Sequence, residues 1–251
     1  MKRFTRYRIP RAAAGELVSR RLLLALPVLA VLSGCATTQS HVSSDAMLPQ
    51  TDTPPVMLLM KPDVELSELT AGGIQQPHAQ WTVAGLGNIE QALADMMRKR
   101  NVKMVPYEPP DNDPQRLHDQ QQIIKLHRAV GVSIIRHKYF EPEVLPTKQS
   151  VFDWSLGPDV QMLREDYEAD YALFVFVRDS YATAGRTAMI VAMAVLGVGI
   201  PAGTQAGFAS LVDLRTGNVV WFNRLVSATG DLRTRGPAEQ AVASLMAGFP
   251  L

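Results

Sequence analysis

The fold is decided by the stretch Tyr171-Ala-Leu-Phe-Val-Phe-Val177, in which every side chain is aliphatic or aromatic. A strand that is apolar on both faces is typical of the middle of a sheet that helices cover on both sides. The aromatic and β-branched residues, and the short length of the run, favour a strand over a helix. The sequence therefore predicts a central, buried strand at residues 171–177.

Strands and helices are predicted to alternate before this central strand. A short apolar run predicts a strand at 56–60, and apolar residues at three- and four-residue spacing predict a helix near 80–100. A second strand is predicted at 102–107. Asp113 followed by Pro114 is the pattern of a helix N-terminus, so a helix should run from there to about residue 134. A short helix is predicted at 158–168.

The chain after the central strand predicts an antiparallel hairpin and a last helix. Strands at 208–212 and 219–226 flank the turn Asp213-Leu-Arg-Thr-Gly217-Asn218, where Gly217 can supply the left-handed residue that such a turn needs. The last helix is predicted at 237–247. This order of elements predicts an α/β (α+β) fold, with a mixed sheet, flanking helices and a late antiparallel hairpin.

The hairpin carries a resemblance to a known group of proteins. The central strand, followed later by Ala209-Ser-Leu-Val-Asp-Leu-Arg-Thr-Gly-Asn-Val-Val-Trp221, is similar to envelope proteins that include the curli-secretion lipoprotein CsgG, the penicillin-binding-protein activator LpoB and the amino-terminal domain of TolB. The similarity covers residues 170–226 and extends to the earlier half by element order alone. It implies a small α/β module for envelope assembly or partner activation, and it brings no catalytic residues.

Cys35 is the single cysteine and closes the tetrapeptide Leu32-Ser33-Gly34-Cys35 after the apolar run 22–32. Basic residues dominate the segment before this run, and the run is shorter than the ~20 residues that a membrane-spanning helix needs. The tetrapeptide resembles a bacterial lipobox. This resemblance implies that signal peptidase cleaves between Gly34 and Cys35, and that acyl chains such as palmitate are attached to Cys35.

Three segments follow from this interpretation: a lipoprotein signal peptide at 1–34, a lipidated flexible tether at 35–55 and a single periplasmic α/β domain at 56–251. The tether is rich in Thr, Ser, Gln and Pro and has no apolar period. Ala36 after the cysteine resembles lipoproteins sorted to the outer membrane of Gram-negative cells. The expected location is therefore the outer membrane, facing the periplasm.

Cleavage changes the charge of the chain. Removing residues 1–34 takes away 7 of the 25 basic and 1 of the 24 acidic residues, which leaves a net charge near −5. An acidic chain without a basic tract lacks the electrostatic footprint of a nucleic-acid-binding protein. With its thiol acylated, the mature chain has no disulfide. The expected partners are the membrane, through Cys35, and an envelope protein or a second copy of the chain.

The segment 187–203 is an apolar insertion, and no charged residue occurs from 187 to 212. Its large side chains would surround a helix instead of lining one side, and those expected to contact a partner or a membrane are Met189, Ile190, Met193, Val195 and Leu196. The insertion is too short to cross a membrane as a helix. A buried core helix, a membrane-inserted element and a contact in an assembly all remain open at this point.

Catalytic patterns are missing from the sequence. There is no G-x-S-x-G motif, and His118, His127 and His137 have spacings along one helix that cannot bring them to one metal, so they are expected on the surface. The pattern at 197–202 matches a dinucleotide motif, but it does not open a helix after a strand. We therefore expect a protein that is not an enzyme and has no metal, cofactor or small-molecule substrate.

Two functional hypotheses follow. The first is a membrane-anchored periplasmic lipoprotein that acts as a non-catalytic interaction or assembly module for an envelope or export system. The second is an oligomeric lipoprotein whose 187–203 segment inserts in the membrane or lines a secretion ring.

Overall fold

The computed structural model describes residues 37–42, 54–100, 102–199, 201–228 and 230–250. All of them belong to one unit, Cys35–Leu251. The predicted signal peptide, the cleavage point between Gly34 and Cys35, and residues 35–36 and 43–53 of the predicted tether lie outside the described residues.

Eight strands form one mixed sheet in these described ranges. They are β1 (Thr37–Val42), β2 (Met57–Leu59), β3 (Asp63–Leu69), β4 (Gln75–Pro77), β5 (Met104–Pro106), β6 (Tyr171–Ala182), β7 (Gln205–Asp213) and β8 (Val219–Ser227). The order is β1-β8-β7-β6-β2-β5, while β3 pairs with the second half of β6 and β4 with β3. β2 and β3 run parallel to β6, whereas β1, β7 and β8 form antiparallel pairs. The prediction of an α/β fold with a mixed sheet and a late antiparallel hairpin is confirmed.

Helices cover the sheet on both faces. The α-helices of the described chain are α1 (Ala79–Lys99), α2 (Pro114–Ile134), α3 (Gln161–Tyr167), α4 (Ala184–Val195) and α5 (Arg235–Leu245). Residues of α1 and α5 share one apolar core with one face of the sheet. Residues of α2, α3 and the connection before α3 share a second core with the other face. No residue of α4 belongs to either core.

The central strand is buried on both faces, as predicted. Leu173, Val175 and Val177 point into the core under α1 and α5. Ala172 and Phe174 alternate with them and point into the core under α2. β6 starts at Tyr171, where the sequence predicts it, but it extends further than the apolar run, to Ala182. This second half of β6 pairs with β3, which gives the longer strand a partner along its whole length.

The predicted turn and helix start are both present. The Asp113 side chain accepts a hydrogen bond from the Arg116 backbone N–H at 2.9 Å, and Pro114 is the first residue of α2. Gly217 has a φ of 78°, which is the left-handed region that the hairpin turn requires. A Cβ at this position would also lie 2.0 Å from the Gly157 carbonyl oxygen. Glycine is therefore needed at residue 217 for two reasons.

Two parts of the sheet differ from the prediction. Residues 37–42, inside the stretch expected to be a flexible tether, form β1. All six of them pair with β8. β3 and β4 occupy a region to which the sequence analysis assigned no element. In β3, polar residues alternate with apolar ones, and the buried positions are mainly apolar. This alternation of period two was a usable signal for a strand that has one face covered.

Candidate functional site

The apolar insertion forms a helix of which the rest of the described chain covers one side only. α4 begins after Thr183, whose side chain accepts a hydrogen bond from the Arg186 backbone N–H at 3.1 Å. It is followed by Gly197, which has a φ of 77° and so turns the chain away from the helix axis. Val191, Val195 and Leu196 are 62%, 83% and 73% exposed. Exposed apolar side chains of this size, grouped on one short helix, are typical of a surface that contacts a partner or a membrane.

The five apolar residues singled out in the sequence lie together on this helix and its end. Met189, Ile190 and Met193 are half-buried, while Val195 and Leu196 are exposed. None of them is fully buried, so α4 is not a core helix of the described chain. Their contact with a partner or a membrane remains a prediction. We call α4 and the residues after it, 184–199, the apolar finger.

Arg186 holds the base of the apolar finger. Its buried guanidinium donates from Nε and Nη2 to the Pro201 carbonyl oxygen, at 3.2 and 2.9 Å. Nη1 donates to the Thr70 carbonyl oxygen in the β3–β4 connection, at 3.4 Å. The side chain thus joins the start of α4 to the returning chain and to a neighbouring turn. Sequence reasoning missed this residue, although it is the last charge before the uncharged stretch 187–212.

Hydrogen bonds join the two chain segments at the base of the apolar finger, which are the end of β6 and the residues before β7. The Ser180 backbone N–H donates to the Thr204 carbonyl oxygen at 3.2 Å, and the Thr204 N–H donates to Ser180 Oγ at 3.0 Å. A Cβ at Gly203 would lie 2.0 Å from the Ser180 carbonyl oxygen, so only glycine permits this approach. The apolar finger therefore leaves from a closed neck formed by β6 and the segment before β7.

A buried carboxylate lies next to this neck. The Asp179 side chain accepts hydrogen bonds from Tyr181 Oη at 2.5 Å and from Gln205 Nε2 at 2.9 Å, and it faces a cavity of about 150 Å³. Burial raises the pKa of the Asp179 carboxyl. The Leu232 backbone N–H also donates to Tyr181 Oη at 2.8 Å. These bonds tie β6, β7 and the segment before α5 together, which is a structural role.

The apolar finger leaves the sheet at the end where β1 begins. Thr37, the first residue of β1, pairs with Val226 near the end of β8. Val226 pairs in turn with Ala206 near the start of β7, and Ala206 pairs with Arg178 in the second half of β6. The start of β1 and the base of α4 therefore share one end of the sheet. The hairpin turn between β7 and β8 lies at the opposite end.

The histidines do not form a site. His118 is exposed and His137 is half-buried, but the prediction that His127 lies on the surface is wrong. His127 is buried, stacks on Phe174 with ring centroids 4.1 Å apart, and lies 2.6 Å from Ser210 Oγ through Nε2. Burial lowers the pKa of His127 to about 3. Because Ser210 is buried as well, no substrate reaches this pair, and it forms part of the core.

A second surface feature is an open groove of about 810 Å³ between α2 and α3, lined by Ile123, Leu126 and Met162 among others. At its edge Asp166 accepts hydrogen bonds from Arg116 Nε and Nη2 at 2.9 and 2.8 Å. The bond from Arg116 lowers the pKa of the Asp166 carboxyl. The acid is therefore held as an ion pair that joins the two helices, and it is not set up for proton transfer at neutral pH.

Metal-binding and membrane-spanning elements were sought in the same described ranges. Among these residues, no group of three or more His, Cys, Asp or Glu side chains could hold a metal ion. No helix within the described part of the chain is both long enough and apolar enough to cross a bilayer.

No protein-family model matches the chain, and no curated protein sequence matches it. Similar solved structures include the PelC dodecamer from Paraburkholderia phytofirmans, at 11% identity over 85% of this chain and 96% of that chain, with a TM-score of 0.38. A variant PelC dodecamer from the same organism has 12% identity over 86% and 98% of the two chains, also at 0.38. The LpoB C-terminal domain from Salmonella enterica has 12% identity over 71% and 85%, at a TM-score of 0.26. LpoB is also named in the hairpin resemblance, but these values are too low to assign this chain to either protein.

Proposed function

We propose that the chain is a lipoprotein of the bacterial envelope, acylated at Cys35, that acts as a non-catalytic interaction or assembly module in the outer membrane. The observation that carries the proposal is the apolar finger. A helix that is apolar on all sides is normally covered by its own protein, by another protein or by lipid. The described chain leaves the side of α4 with Val191, Val195 and Leu196 exposed, which supports a contact with something outside it.

Several features of the described residues support a non-catalytic role. The buried His127–Ser210 pair is closed to substrates, and the Asp166 carboxylate is held by Arg116. Asp179 accepts two side-chain hydrogen bonds beside a cavity that is smaller than an ordinary ligand pocket. These polar groups already have partners in the fold, which suits a scaffold better than a reaction centre.

Photo-crosslinking in cells tests the contact. A photoreactive amino acid is introduced at Ile190 or Met193, the half-buried side of α4, and a matched probe is placed at Thr216 in the exposed hairpin turn. We expect adducts with an envelope component from the α4 positions and none from Thr216. If neither α4 position gives an adduct with protein or lipid, the proposed contact surface is wrong.

Lipid attachment is tested separately. Mass spectrometry of the N-terminal peptide should show acyl groups on Cys35. A Cys35→Ala variant produced without residues 1–34 should carry no acyl groups and should not bind to membranes through the N-terminus. An unmodified Cys35 in the mature protein would rule out the anchor without affecting the crosslinking result. Assembly into a large ring that requires detergent would instead favour the oligomeric alternative, in which the 187–203 segment lines a ring or inserts in the membrane.

A further inference from the structure

We infer that the apolar finger dips into the bilayer that holds the acyl chains on Cys35, so that the domain touches the membrane at two points. This inference rests on the proposed acylation of Cys35, and it names lipid as the contact of α4. It also orients the domain, because the end of the sheet that carries β1 would face the membrane. The β7–β8 hairpin turn would then face away from the membrane.

The first argument is the position of the anchor. Cys35 precedes Thr37 by two residues, which can span at most ~7 Å whatever path they take. The start of β1 is separated from β6 by β8 and β7, which is three strand spacings or about 14 Å. α4 starts two residues after the end of β6. Arg178 is level with Thr37 and precedes α4 by six residues, or up to ~20 Å of extended chain. The acyl chains and the base of α4 therefore leave the same end of the sheet within about 30 Å of each other.

The second argument is the chemistry of the apolar finger. A surface that binds another protein normally has a polar rim around its apolar centre. Apolar side chains of α4 occupy both its half-buried and its exposed sides, and no charged residue occurs between Arg186 and Asp213. Arg186, the one charged side chain on α4, is buried at its base against backbone carbonyl groups. Lipid covers the exposed side of such a helix without requiring complementary polar groups.

The third argument is length. α4 has 12 residues, which corresponds to about 18 Å of helix. This length reaches through the headgroup region into one leaflet but does not cross a hydrocarbon core of about 30 Å. The most exposed side chains, Val195 and Leu196, lie at the end of α4 that is farthest along the chain from its anchored base. They are the residues expected to lie deepest in the lipid.

Depth-dependent fluorescence quenching tests the inference on the acylated protein, reconstituted in vesicles of phosphatidylethanolamine and phosphatidylcholine. An environment-sensitive dye is attached at Val195→Cys, or at Arg215→Cys in the hairpin turn as the control. Acylated Cys35 cannot take the dye, and protein without an introduced cysteine checks this. We expect spin-labelled lipids to quench the dye at residue 195 but not the dye at 215. Iodide in the aqueous phase should quench only the dye at 215.

The other outcomes overturn the inference in distinguishable ways. If the dye at residue 195 is protected from iodide but is not quenched by spin-labelled lipids, a second copy or another protein covers α4. The proposed interaction role would then stand without the lipid contact. If iodide quenches both dyes equally, neither lipid nor a second copy covers α4 and the inference fails, while contact with another envelope protein is decided separately by the crosslinking in cells. Dye on the protein that lacks an introduced cysteine would show that Cys35 is free, and the anchor itself would fail.

A charge-insertion variant gives a second readout. With the dye moved to Val191→Cys, replacing Val195 and Leu196 with Glu should lower lipid quenching about threefold or more, because carboxylates are costly in the membrane. Val151→Glu, at another exposed valine outside α4, is the control and should leave quenching unchanged. Unchanged quenching in the double Glu variant would overturn the inference. A thermal melt confirms that both variants are folded.

Discussion

β6 and α4 follow one another in the chain, and both consist mainly of apolar residues. The side chains of β6 are divided between two cores, and Leu173 is fully buried. Val195 and Leu196, 22 and 23 residues further on, are among the most exposed large apolar side chains of the described chain. Apolar composition therefore does not decide burial. β6 is buried because α1 and α5 lie over one face and α2 lies over the other, whereas the described chain covers only one side of α4.

The largest effect should come from the buried side of this comparison. Replacing Leu173 with Ala deletes a fully buried side chain between β7 and α1, and we expect a loss of about 2–5 kcal/mol in the free energy of unfolding. Urea denaturation followed by circular dichroism measures this loss. A loss below about 1 kcal/mol would mean that the core around β6 is loosely packed.

The free energy of unfolding should fall in acid if the core under β6 excludes water. His127, stacked on Phe174, has its pKa lowered by burial from 6.5 to about 3. Between these values the unfolded chain binds a proton that the folded chain does not, so acid favours unfolding. From pH 6.5 to about pH 5 this group alone should cost about 2 kcal/mol of stability. Below about pH 3 there is no further loss from it.

A His127→Gln variant is the control for this acid response. Gln can still form a hydrogen bond with Ser210 but does not titrate. Its unfolding free energy, measured by urea denaturation over the same pH range, should fall less steeply than that of the native protein. Equal slopes would show that His127 is protonated in the folded state, and hence that the core under β6 is wet.

The base of α4 lies between the buried strand β6 and the exposed end of α4, and Arg186 makes the main contacts there. Replacing Arg186 with Ala removes the hydrogen bonds to the Pro201 and Thr70 carbonyl oxygens, which we expect to cost about 1–3 kcal/mol. Because the loss is local, hydrogen exchange should rise in α4 and in the segment before β7, and β6 should stay protected. Uniform loss of protection would show that α4 and the sheet unfold as one unit.

The smallest effect should come from the exposed side. Replacing Leu196 with Ala removes the same number of carbon atoms as Leu173→Ala, but Leu196 is 73% exposed. We expect a change within about 0.5 kcal/mol in the unfolding free energy of the protein without lipid. The matched pair of Leu→Ala variants thus measures burial directly. A loss similar to that of Leu173→Ala would mean that α4 packs against a surface of its own chain.

Local patterns predicted most elements of the fold. The two-sided apolar run at 171–177, the Asp113-Pro114 start of α2 and the glycine at 217 all act within a few residues, and each is found where it was predicted. β3 was missed although its apolar residues alternate, whereas β4 has three exposed residues and carries no apolar signal. The surface position predicted for His127 was wrong, because a histidine on an apolar helix face gives no local sign of what packs against it.

The candidate site was predictable only in part. Met189, Ile190, Met193, Val195 and Leu196 stood out because they occupy a long stretch without charge. The residues that hold this stretch away from the core did not stand out. Arg186 donates a hydrogen bond to a turn more than a hundred residues away in the chain. Ser180 accepts a hydrogen bond from Thr204, which lies on the other side of the apolar finger in the chain. No local pattern identifies such pairs.

By itself, the sequence determined the types of most elements, the candidate lipid-bearing cysteine and the apolar character of α4, because these depend on residue chemistry and short spacing. Only the tertiary structure decided that one side of α4 is uncovered in the described chain and that α4 leaves the sheet at the end where β1 begins. Both properties depend on strand pairing between distant residues, such as Thr37 with Val226, and such pairing is set by the packing of the whole sheet.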